Sequence, residues 1–130
     1  MRNKVSNPTK DNVIPRRTTL QNNSLTPEKL QSAVDRIVAN LASPARVILF
    51  GSQARGEADK DSDLDLMVIE RELPNKAAEY LRLKAAIGRI GVGVDLLLYS
   101  EAEFDRRSQV PGTVPYWAKK EGKVLYDAAA

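Results

Sequence analysis

Apolar residues recur at helical spacing at Leu30, Ala33, Val34, Ile37, Val38 and Leu41, which predicts an amphipathic helix with one buried face. Thr26-Pro27 supplies its start, a hydroxyl cap followed by proline at the first helical position. The spacing carries the helix to about Ala42, where Ser43-Pro44 ends it. The periodicity then changes. Val47-Ile48-Leu49-Phe50 is an unbroken apolar run, the pattern of a strand covered on both faces. Gly51-Ser52 stops that strand and opens a turn or short helix running to about Gly56. A polar loop, Glu57 to Ser62, leads to a second strand from Asp63 to Glu70. Pro74 starts a second amphipathic helix ending near Gly88 to Gly91, and a third strand runs from Val92 to Tyr99. A short helical stretch (Glu101 to Arg107), a Pro/Gly loop (Val110 to Pro115) and a helix-like segment around Tyr116 to Lys123, ended by Gly122, follow. The order is that of an α/β domain, a small mixed β-sheet of three or slightly more strands with packed helices.

Residues 1–24 differ from the rest. They carry Arg2, Lys4, Lys10, Arg16 and Arg17 against Asp11 alone, with two prolines and no periodicity. Such a composition buries too little apolar surface to offset ordering entropy. The expectation is a disordered basic tail over 1–24 and one folded domain over 25–130. The net charge of +3 therefore belongs to the tail, and the body is close to neutral. This weakens the case for nucleic-acid binding, except as a weak contact through the tail. No apolar run approaches the ~20 residues of a membrane-spanning helix, and the N-terminus lacks the apolar stretch of a secretory signal. The expected location is the cytoplasm, with no membrane association. The chain has no cysteine and no histidine, which excludes disulfides, thiolate chemistry, the commonest general base and the usual zinc ligands. What chemistry there is must use carboxylates, hydroxyls, Lys, Arg and backbone amides. Hard oxygen donors favour Mg²⁺ or Mn²⁺.

Three features suit such chemistry. Gly51-Ser52 ends a buried strand, where glycine permits a tight turn and close ligand approach, and the amides of the following turn suit phosphate. In Asp63-Leu64-Asp65-Leu66, strand alternation sends both carboxylates to one face, about 6–7 Å apart, and both leucines toward the core. Without a cation the two carboxylates repel and raise each other's pKa. Asp95 sits inside the apolar run Val92 to Leu98; unpaired burial there would cost several kcal/mol. It completes a three-carboxylate cluster if its strand lies beside the Asp63/Asp65 strand; otherwise it sits at a strand edge or pairs with Arg89. Other candidates are weaker. Gly91-x-Gly93 lacks the third glycine of a dinucleotide fingerprint, and Gly122-Lys123 is followed by valine rather than Ser or Thr. Tyr116 and Trp117 fit a hydrophobic anchor for the last helix better than a base-stacking platform. Arg106-Arg107 fits a solvated helix end.

The run Phe50-Gly51-Ser52-Gln53-Ala54-Arg55-Gly56-Glu57-Ala58, followed by Ser62-Asp63-Leu64-Asp65-Leu66, resembles the signature of the minimal nucleotidyltransferases, within the DNA polymerase β-like superfamily. The resemblance spans about Leu25 to Tyr126 and implies the polymerase β-like nucleotidyltransferase fold. It also implies roles: Asp63, Asp65 and Asp95 as catalytic, metal-binding carboxylates for two Mg²⁺ (or Mn²⁺) ions, and Gly51 and Ser52 as the hold on the β/γ-phosphates of ATP. Arg55 either supports those phosphates or pins the turn. A single domain of this length resembles the small partner in HEPN/MNT toxin–antitoxin systems, where AMP is transferred from ATP to a tyrosine of a helical HEPN ribonuclease. The implied function is protein adenylylation as an antitoxin, in a possible hetero-oligomer with that toxin. Two alternatives stay open: modification of a small molecule such as an aminoglycoside, and a non-catalytic antitoxin or nucleotide-binding module that occludes its partner.

Overall fold

The computed structural model describes residues 25–58 and 62–129. The expectations for the basic tail over 1–24 and for part of the polar loop fall outside the described residues. The first helix, α1, spans Pro27–Ala39. It opens as expected: the Thr26 hydroxyl accepts a hydrogen bond from the Lys29 amide at 3.1 Å, and proline occupies the first turn, where its missing N–H costs nothing. It stops three residues before the expected Ala42. Asn40 caps it, turning its amide back to the Ile37 carbonyl, while its side-chain amide donates to Arg36 O at 2.8 Å. Ser43-Pro44 therefore lies in the connection after the helix rather than at its end.

That connection is tied from below by two buried acids. The Ala42 amide donates to Glu79 Oε2 at 3.2 Å, and the Ser43 amide donates to Glu70 Oε1 at 3.2 Å. Strand β1 follows over Ala45–Phe50, then the one-turn helix α2 over Gly51–Arg55, strand β2 over Leu64–Glu70 and helix α3 over Lys76–Ile87. Helix α3 starts after Pro74, because Asn75 is the residue whose side chain can accept from a first-turn amide, that of Ala78, at 3.1 Å.

Strand β3 spans Val94–Ser100, two residues later at its start than the apolar run suggests. Helix α4, Glu101–Arg107, lies where expected, and its Arg107 pairs with Glu103 at 3.2 Å. Helix α5 spans Val114–Glu121, so the expected loop gives way two residues early. Thr113 caps it by accepting from the Tyr116 amide at 3.2 Å, which lets Pro115 sit in the first turn. The helix ends at Gly122 as expected, and a fourth strand, β4 over Lys123–Asp127, follows.

The four strands form one mixed sheet in the order β3-β2-β1-β4. Strand β1 runs antiparallel to β2 and β4, and β2 runs parallel to β3. The architecture is the expected α/β one, with the sheet one strand larger than the three apolar runs. Each face has its own core. On one side Val47, Leu49, Leu64, Leu66, Val68, Leu96 and Leu98 pack with Ala33 and Ile37 of α1 and Leu83 and Ile87 of α3. On the other Ile48, Met67 and Ile69 pack with Phe104 of α4 and Ala118 of α5. Helices α1 and α3 are stitched together by the Arg36 guanidinium, which donates to the carbonyls of Ala86 and Ile87 at 2.9 and 2.8 Å. Among the described residues no helix is long and apolar enough to cross a membrane.

Candidate active site

The site forms where β1 ends and β2 and β3 begin. Alternation along β2 works as expected: Leu64 and Leu66 are wholly buried, which turns Asp65 to the opposite face, partly buried, and leaves Asp63 exposed just ahead of the strand. The parallel register sets Asp65 directly beside Asp95, and the antiparallel register sets Phe50 on its other side. Phe50, Asp65 and Asp95 thus form a row across three strands on the face that carries α4 and α5. The expected neighbourhood of the Asp63/Asp65 strand and the Asp95 strand is what the fold contains. Asp95 is not buried in its strand as its apolar neighbours suggest, however. Strand β3 is at the sheet edge, and Asp95 is exposed, so solvent rather than a partner relieves the cost of its charge.

Asp65 is the strained member. Partial burial raises its carboxyl above the ordinary carboxylate range; the neighbouring Asp95 carboxylate raises it further, and Asp63 adds to the effect. Arg55 opposes the shift. Two carboxylates set side by side repel each other, and a divalent cation between them relieves that repulsion. The donor set is all hard oxygen, which fits Mg²⁺ or Mn²⁺. Asp63 stands slightly apart, its carboxylate lying over Gly93, where an added Cβ would come within 2.6 Å of Asp63 Oδ1. Among the described residues no three such side chains converge into a ready-made cage. The fit to a cation therefore rests on the Asp65/Asp95 pair, with Asp63 within electrostatic reach.

Gly51 is pressed against this row. It adopts φ +74°, the left-handed region, and an added Cβ would run into Asp65 Oδ2. Both facts require glycine. Ser52 follows it in the first turn of α2, and Phe50 at the cap position offers the turn's amides no side-chain acceptor. Gln53 reaches across to the Ser62 carbonyl at 3.4 Å, linking the turn to the approach to β2. Arg55 is engaged elsewhere. Its Nε donates to Glu57 Oε1 at 2.9 Å, and Glu121 of α5 lies 3.9 Å from its Nη1. The hydrogen bond it donates to Glu57 is the main reason its pKa is raised. Both of its contacts are thus with acidic side chains, one beside the turn and one on α5. Glu57, expected to be loop charge, is its partner.

One neighbour of the site differs from expectation. Pro115 and Ala118 anchor α5 in the core, whereas Trp117 is 47% exposed. Trp117 lies in a recess it shares with Phe50 and Gly51.

Comparison with known proteins places this geometry. A family profile described as nucleotidyltransferase domain matches residues 29–121. A Methanocaldococcus jannaschii protein named as a protein adenylyltransferase is 40% identical over 53 residues, 41% of this chain and 52% of that protein. The match thus spans about half of that relative's length. The crystal structure of a protein from Sulfolobus solfataricus, named as a nucleotidyltransferase, superposes with TM-score 0.53 at 19% identity, covering 77% of this chain and 78% of that one. The crystal structure of a toxin–antitoxin with AMP-PNP superposes with TM-score 0.56 at 20% identity, covering 79% of this chain and 74% of that one. At such identities the two structures establish a shared fold.

Proposed function

This chain belongs to the nucleotidyltransferase domain family, and from that premise we propose that it transfers AMP from ATP to a hydroxyl group, that of a tyrosine on a partner HEPN toxin. The observation that carries the reading is the register that sets Asp65 beside Asp95, with Gly51 packed on Asp65. A triphosphate held at the Gly51-Ser52 turn has its reacting phosphorus next to those carboxylates. In this reading the amides of the turn and the Ser52 hydroxyl bind the β- and γ-phosphates. Asp63, Asp65 and Asp95 would hold Mg²⁺ ions, which when bound neutralise charge on the triphosphate. Asp95, exposed at the sheet edge, takes the proton from the incoming hydroxyl, a role that no histidine is present to fill. The hydroxyl oxygen bonds to the α-phosphorus, the bond to the β-phosphate oxygen breaks, and pyrophosphate leaves.

The choice of a protein acceptor draws on the name of the M. jannaschii relative. The choice of a toxin draws on the toxin–antitoxin neighbour and on the resemblance carried by residues 50–66. Incubation with α-labelled ATP, Mg²⁺ and a co-purified helical partner tests both. Label should pass to a tyrosine of the partner, and Asp63→Asn with Asp65→Asn should abolish it. Tight neutralising binding of the partner without label would instead identify an occluding antitoxin.

A further inference from the structure

Phe50, Gly51, Val114 and Trp117, with Arg55 and Glu121, line a recess of about 510 Å³ beside the phosphate turn. Resting on the nucleotidyltransferase reading above, we propose that this recess is the nucleobase pocket of the site, with the base of the bound nucleotide stacked on the Trp117 indole. Three observations carry this. The recess is continuous with the site: Gly51 belongs to both, and Phe50 is the register partner of Asp65. Its walls are mainly apolar, since Phe50 and Val114 line it with an indole that the core does not need; α5 is anchored by Pro115 and Ala118, buried where Trp117 is 47% exposed. The indole is also held in place. Tyr116 meets it edge-to-face at a centroid distance of 5.2 Å, and Arg55 reaches from α2 toward Glu121 on the same helix.

A large aromatic group left half in water next to a polar site suits a ligand with a π-face and a charged tail. A nucleoside triphosphate has both, and a tail anchored at Gly51-Ser52 places the base within reach of the adjoining recess. Stacking of this kind tolerates any base, so the pocket would add affinity without strong base selection.

Trp117 is the only tryptophan in the chain, so its emission reports on the recess alone. The full-length protein is titrated in Mg²⁺ with ATP and with inorganic tripolyphosphate, following both emission and heat. ATP should quench Trp117, whereas tripolyphosphate should bind without quenching. Trp117→Ala should weaken ATP about tenfold, leave tripolyphosphate unchanged, and be largely rescued by Trp117→Phe. Calorimetric ATP binding with unaltered emission and undiminished affinity in Trp117→Ala would overturn the pocket while leaving the transfer reaction intact. A shift of Trp117 emission on adding the partner but not ATP would assign the recess to the acceptor and also overturn it. If neither ATP nor tripolyphosphate binds, the nucleotidyltransferase reading falls as well.

Discussion

Gly51 and Asp65 constrain each other. The glycine holds φ +74° against the Asp65 carboxylate, a conformation that costs an L-residue roughly 1–2 kcal/mol. Gly51→Ala should lower stability by about that amount and displace Asp65, so thermal melts and ATP turnover should fall together. Gly93→Ala makes a useful contrast. Its added methyl meets only the flexible end of Asp63, so it should move a carboxylate with little loss of stability. Asp65 has its own signature. Burial, then Asp95, raises its folded-state pKa, so the ionised form is disfavoured in the native protein. At a pH below the ordinary carboxylate range both folded and unfolded states are protonated, and the effect vanishes. In a chelator at about pH 7.5, Asp65→Asn should therefore melt above wild type, and the gap should close at acid pH or when Mg²⁺ is added. The aspartates at the start of β2, Asp63 just ahead of it and Asp65 within it, were legible because alternation needs only two leucines pointing inward. Trp117 was not: the buried positions of α5, Pro115 and Ala118, are three apart, and Trp117 falls one position outside that stripe.

Short elements at the end of the chain were the hardest to read, for a physical reason. Helix α5 has eight residues, and its start is set by the Thr113 cap rather than by periodicity. Thr113→Ala should cost about 1 kcal/mol, measurable by thermal melts, and should loosen the mounting of Trp117, visible as a red shift of its emission. Strand β4 left no signal. Lys123 and Val124 are exposed, and the strand exists because β1 offers it an edge, with a register shift at Val47/Ile48. By contrast β1 and β2, buried on both faces, announce themselves as continuous apolar runs. Pro74 misled because proline favours a first turn, but Asn75 supplies the cap that a helix start needs.

For the molecule as a whole, ligand binding and stability are linked. If the site takes Mg²⁺·ATP, saturation at a hundred times Kd should stabilise the fold by about 2.7 kcal/mol. Differential scanning should then show a higher melting temperature with Mg²⁺·ATP than with Mg²⁺ alone, and no such increment in Asp63→Asn with Asp65→Asn. The parallel pairing of β2 with β3 has a consequence of another kind. Asp65 and Asp95 are neighbours only because helix α3 carries the chain across the sheet between them. Local structure can form without bringing them together, and the hairpin-like pairing of β1 with β2 can form first. Two like charges therefore meet in a non-local step of folding, so the pairing that brings the candidate site's carboxylates together also opposes the chain's own assembly, and a cation bound between them, if the proposed function holds, would also ease the path to the folded state.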